Sequence, residues 1–115
     1  MSEYFNKELI DDIITIVVSN TSATVQHADE LSKIIEDEIA NKVKKIVVDL
    51  SQCKFIDSIF LGALIYASKE MKETSGQMRI VEPAKLPQEL LSIPITLHLL
   101  EVYKSREEAI NSFTS

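Results

Sequence analysis

Lys44 to Ile65 reads KKIVVDLSQCKFIDSIFLGALI, and the order of its parts decides the fold. Ile46 to Leu50 is rich in β-branched residues and short, as a buried strand is. Ser51 to Lys54 is polar and interrupts it as a loop. Phe55-Ile56 returns the chain to the core, and Ser58 stands where a helix N-cap belongs. Beyond it Leu61, Leu64, Ile65, Ser68 and Met71 recur at helical spacing, which predicts a long helix with that stripe facing the core. A buried strand handing over to a core-facing helix is the repeating unit of an α/β fold.

The flanks extend the pattern. Upstream, Tyr4 to Leu9 reads as a weak strand, Asp11-Asp12 as a tight connection and Ile13 to Val18 as a buried strand, together an antiparallel hairpin. Asn20 to Gln26 is a polar loop. From Val25 to Asn41 the spacing predicts a helix with Ala28, Leu31, Ile34, Ile35 and Ile39 inward. Downstream, Ser75-Gly76 ends the long helix, with glycine suited to a left-handed position. Met78 to Val81 is a short strand, Leu86 to Ile93 a short helix, and Leu99 to Tyr103 a candidate last strand. Ser105 caps a terminal helix with an acidic first turn. Strands alternating with helices are parallel and joined by right-handed crossovers. The expectation is one α/β domain over residues 1–115, with a mixed, mostly parallel sheet, an N-terminal antiparallel hairpin and about four helices.

Composition narrows the function. A formal charge of −6 on 115 residues opposes nucleic acid, whose phosphates call for a basic stripe. Cys53 is the single cysteine, so no intramolecular disulfide forms, and an inert buried thiol in a reducing compartment is expected. Met1 to Lys7 lacks the apolar stretch of a signal peptide. No apolar run approaches the ~18 residues of a membrane span, so a cytoplasmic protein without membrane insertion is expected.

Catalytic chemistry has few candidates. Two glycines cannot build a nucleotide-binding loop. His27 and His98 have no nucleophile partner in sequence, and surface or cap roles are expected for both. An acidic pair, Asp11-Asp12, with Asp49 or Asp57 has the inventory of a phosphoaspartate receiver. The pair precedes its strand, however, which puts it at the opposite edge of the sheet from Asp57. No enzyme, cofactor or metal site is expected.

The junction at Asp57-Ser58 remains. A strand end running into a helix start sets backbone N–H groups and the positive helix end beside the serine hydroxyl. Phosphorylation there adds about −1.5 to −2 of charge; the helix favours it by roughly 0.3–1 kcal/mol, and Asp57 opposes it. A plain helix cap is the simpler role for Ser58. If Leu61, Leu64, Ile65 and Met71 face the sheet, then Ile59, Gly62 and Tyr66 fall on the other side as a shallow apolar patch beside Ser58, suited to a protein partner.

Taken together, Ile46-Val47-Val48-Asp49-Leu50-Ser51, Phe55-Ile56-Asp57-Ser58 and Leu61-Gly62-Ala63-Leu64 resemble the STAS domain family, whose best-known members are bacterial anti-sigma-factor antagonists. The match continues through Gly76, Met78 to Val81 and Glu107-Glu108-Ala109-Ile110. The resemblance implies that Ser58 is phosphorylated by a partner anti-sigma factor, itself a GHKL-type ATPase and serine kinase. Unphosphorylated protein binds that kinase and frees the sigma factor for transcription; a phosphatase resets the cycle. Asp57 would shape the phosphorylation loop, and Asn20, Thr21, Ser22 and Thr24 would lie beside it in the docking surface. Ile59 and Phe60 stand where the family carries a small residue and glycine, and Thr21 and Thr24 where its first loop carries glycine and aspartate. Phe60 is thereby expected at the docking surface with its bulk beside the phosphoacceptor. The family also serves as non-phosphorylated subunits of stress-sensing and lipid-transport complexes, which is the alternative implied. A monomer or weak dimer is expected.

Overall fold

The hairpin forms as expected in the computed structural model, which describes residues 4–19, 22–23, 25–83 and 100–114. Strand β1 (Phe5–Ile10) pairs antiparallel with β2 (Ile13–Val18), from Phe5↔Val18 to Ile10↔Ile13. Asp11 turns the chain at φ 55, a left-handed conformation that aspartate tolerates better than most residues. A two-residue strand β3 (Ser22–Ala23) leads into helix α1 (Val25–Ala40). Then follow β4 (Lys45–Asp49), β5 (Phe55–Ile56), helix α2 (Ser58–Glu73), β6 (Gln77–Val81), β7 (Val102–Tyr103) and helix α3 (Arg106–Asn111).

The main sheet runs β1-β2-β4-β6-β7, and every pair after the hairpin is parallel. Alternation along the central strands feeds two cores. Ile14, Ile16, Ile46, Val48, Met78 and Ile80 pack with residues of α1 and α2. Val47 and Val81 face the other way, with Ala109 of α3. Among the described residues there are three helices; the expected helix at 86–93 lies outside them.

Four local readings need correction. The N-cap of α2 is Asp57, not Ser58, because the aspartate has extended backbone and its carboxylate accepts from Phe60 N–H. Ser58 is the first helical residue. The core stripe of α2 is Phe60, Leu64, Ala67, Ser68 and Met71; Leu61 and Ile65 are only partly buried. On α1 the buried residues are His27, Ala28, Leu31, Ile35 and Glu38, and Glu38 is held by Lys7 at 3.0 Å.

The fourth correction is at the end of α2. Ser75, not Gly76, takes the left-handed conformation, at φ 65. Gly76 N–H donates to Met71 C=O at 2.7 Å and Ser75 N–H to Lys72 C=O at 3.0 Å, the paired bonds of a Schellman ending. Gly76 is needed for room instead. A Cβ there would lie 2.8 Å from Met71 Cε and 3.2 Å from the Lys44 carbonyl oxygen, and backbone cannot yield as a side-chain end can. Gly76→Ala is expected to destabilise the domain by about 1–3 kcal/mol through overpacking, measurable as a lower denaturant midpoint with unchanged slope.

Candidate functional site at the paired helix starts

β3 and β5 form their own parallel ladder, Ser22↔Phe55 and Ala23↔Ile56, extended by Asp57 N–H donating to Ala23 C=O at 3.0 Å. The ladder sets the starts of α1 and α2 side by side. Asp57 then joins them. Its Oδ1 accepts from Phe60 N–H at 2.8 Å and its Oδ2 from Val25 N–H at 2.9 Å. One carboxylate thus satisfies a donor at the first turn of each helix, and its charge faces the positive ends of both. The sequence signal for the first bond is an aspartate three residues before an amide; for the second, across the fold, there is none.

Ser58 is exposed at the first position of α2. Ile59 is 56 % exposed and Tyr66 60 % exposed, and Gly62 has no atom within 4 Å of where a Cβ would stand. The expected patch of Ile59, Gly62 and Tyr66 is therefore on the surface beside Ser58. Phe60 is not: it is fully buried in the core, so its bulk is directed away from the serine and it leaves the candidate docking set. Phe55, expected to return the chain to the core together with Ile56, is instead 51 % exposed and joins the set, as does Val25, which helix periodicity passed over, at 52 %. Phe55 precedes Asp57 by two in an extended segment, which puts both side chains on one side. The Ser22 backbone lies opposite Phe55. Asn20, Thr21 and Thr24 lie outside the described residues.

The Asp-Leu-Ser segment has a different task. Asp49 is buried at the end of β4, where Oδ2 accepts from Arg106 Nε at 3.1 Å and Nη2 at 3.0 Å, and Oδ1 from Ser51 N–H at 2.9 Å. Arg106 Nη1 also reaches Glu8 Oε2 at 3.0 Å. This ties α3 to β4 and β1. Arginine in a first helical turn opposes the dipole, a detectable sign that Arg106 has a partner elsewhere. Asp12 bonds Lys45 at 3.1 Å, at the start of β4, so the acidic pair and Asp49 sit at opposite ends of the strand and no receiver-type cluster forms.

Two other groups of potential reactivity, Cys53 and His27, lie in the interior. Cys53 is buried, and burial, then the Asp49 charge, pushes its thiol up to about 11. Of the surface and cap roles expected for His27, burial removes the surface one; it lies in the first turn of α1 with its ring edge-on to Tyr4 at 4.5 Å. His98 lies outside the described residues. Among the described residues no group of histidine, cysteine and carboxylate side chains is placed to hold a metal, and no helix is long and apolar enough to cross a membrane.

The model of the STAS domain matches residues 4–109. The chain belongs to the STAS domain family. A Thermotoga maritima protein assigned as an anti-sigma factor antagonist is 27% identical over 107 residues, 92% of this chain and 94% of that one. In fold, this STAS domain superposes on a crystal structure of an anti-sigma factor antagonist from Mycobacterium paratuberculosis with TM-score 0.82 at 18% identity, covering 96% and 93% of the two chains. It also superposes on the anti-sigma factor antagonist SpoIIAA in its unphosphorylated form with TM-score 0.74 at 16% identity, covering 96% and 98%.

Proposed function

We propose that this STAS domain is a cytoplasmic anti-sigma factor antagonist that binds a serine-kinase anti-sigma factor of the GHKL ATPase type and is released when that kinase phosphorylates Ser58. The observation that carries the reading is the position of Ser58. It is an exposed residue at the first position of a 16-residue helix, between the capping Asp57 and the exposed Ile59. A kinase can reach it without unfolding anything. The relatives' assignment as antagonists supports the same role.

The switch would be electrostatic. Unphosphorylated, the surface offers apolar area around one carboxylate whose two oxygens already accept backbone N–H bonds. A phosphate adds about two negative charges within the docking area, where like charge and desolvation oppose the partner. The first-turn amides stabilise it only in part, because Asp57 already holds the Phe60 and Val25 donors. A phosphatase removing it restores binding, and the domain itself supplies no catalytic group.

Ser58→Asp is expected to weaken binding of the isolated partner by about tenfold or more, close to 1.4 kcal/mol, while Ser58→Ala leaves it within a factor of about two. Titration calorimetry with each variant checks this. Equal affinities for the wild type and Ser58→Asp would refute an electrostatic switch at this residue.

A further inference from the structure

Gly62 presents an unbalanced cost. It sits inside α2, where glycine is roughly 0.5–1 kcal/mol worse than alanine. A Cβ there would meet nothing within 4 Å, so nothing in the described fold needs the glycine. Ile59 and Tyr66, three residues before and four after it, are largely exposed. Further along the same outward stripe, by helical spacing, come Glu70 and Glu73. Burial, then the charges of Glu36 on α1 and of Glu73, pushes the Glu70 carboxyl upward. Like charges converge there, and the exposed Lys69 stands on the Gly62 edge of the stripe, one turn from Glu73, leaving the end with a net negative charge from Glu36, Glu70 and Glu73. The face is thus apolar with a glycine hollow at one end and acidic at the other. From Ile59 to Glu73 it runs about 21 Å at 1.5 Å per residue.

We propose that this outward stripe of α2 docks a basic amphipathic helix of the partner protein, its apolar residues over Ile59, Gly62 and Tyr66 and its basic residues against Glu36, Glu70 and Glu73. This deepens the proposed function and rests on the partner's docking beside Ser58. The glycine hollow lets a helix approach closely, and the acidic end fixes its direction. Charge decides against other occupants. A second copy brings a further −6, and an anionic membrane is repelled in the same way.

The test uses a synthetic helical peptide of about 18 residues, leucine-striped in its first half and lysine-striped in its second, titrated into the isotope-labelled full chain. Amide shifts are expected at Ile59, Gly62, Tyr66, Glu70 and Glu73. Affinity should fall about tenfold in Tyr66→Ser and in the Glu70→Gln, Glu73→Gln double variant. Gly62→Ala should weaken binding while raising the unfolding midpoint of the free protein, a pairing that a purely structural glycine would not show. Shifts elsewhere, no binding, affinity unmoved by these variants, or preferential binding of phosphatidylglycerol vesicles would overturn the proposal. The same variants, assayed against the isolated partner beside Ser58→Asp, separate the two readings. Loss of binding in Ser58→Asp alone removes the helix groove and keeps the switch. Loss in Tyr66→Ser and the double variant alone removes the switch and keeps the groove.

Discussion

Phe60→Ala is expected to lower the unfolding free energy by about 3–5 kcal/mol, the range for truncating a fully buried aromatic. The side chain has no exposed surface and belongs to the large core with Leu64, Ala67 and Met71. Deleting it leaves a cavity under the first turn of α2, where neighbours fixed to the sheet collapse only in part. Domains of this size hold about 5–15 kcal/mol in total, so the variant should unfold at least about 10 °C lower. Phe60→Leu keeps most of the volume and should lose less than half as much. Thermal unfolding followed by circular dichroism measures both. A small loss in Phe60→Ala would mean that the ring lies at the surface, as its sequence position first implied.

Asp57→Ala has the second-largest expected effect and joins stability to function. It removes one acceptor from each of two helix starts, and each cap is worth about 0.5–2 kcal/mol. A loss of about 1–4 kcal/mol follows, the higher end if both amides stay out of reach of water. Asp57→Asn keeps one side-chain oxygen and so only one of the bonds to Phe60 and Val25; it should fall between the wild type and alanine. The diagnostic is where protection is lost. Hydrogen exchange should quicken at the first turns of both α1 and α2 in Asp57→Ala. Loss at α2 alone would show that the bond to Val25 carries no weight.

The architecture was legible because its strands are nearly pure β-branched runs and its helices have clear apolar stripes. Ile13 to Val18 and Ile46 to Val48 could only be buried strands, and their alternation with helices forces parallel pairing. The site was legible to one residue. Ser58 and Asp57 both rank as N-caps, and only the backbone, extended at Asp57, decides between them. Phe60 was misplaced for a related reason. Phe60 stands where the family carries glycine, which pointed it outward, and with Ile59, Phe60 and Leu61 consecutive and all apolar, periodicity leaves the phase of the stripe open by one position; the fold puts Phe60 in the core. Phe55 was assigned to the core and Val25 passed over because their exposure depends on the short β3–β5 ladder, a pairing between distant two-residue segments with no period of their own. The bond from Val25 to Asp57 is invisible for the same cause.

The most direct test of the central claim is intact-mass and phosphosite measurement on the full chain incubated with its isolated partner and ATP. The account predicts a single phosphate-sized increase, mapped to Ser58 and absent in Ser58→Ala, with release of the partner in step with its appearance. A stable complex that turns over ATP while Ser58 stays unmodified would contradict it.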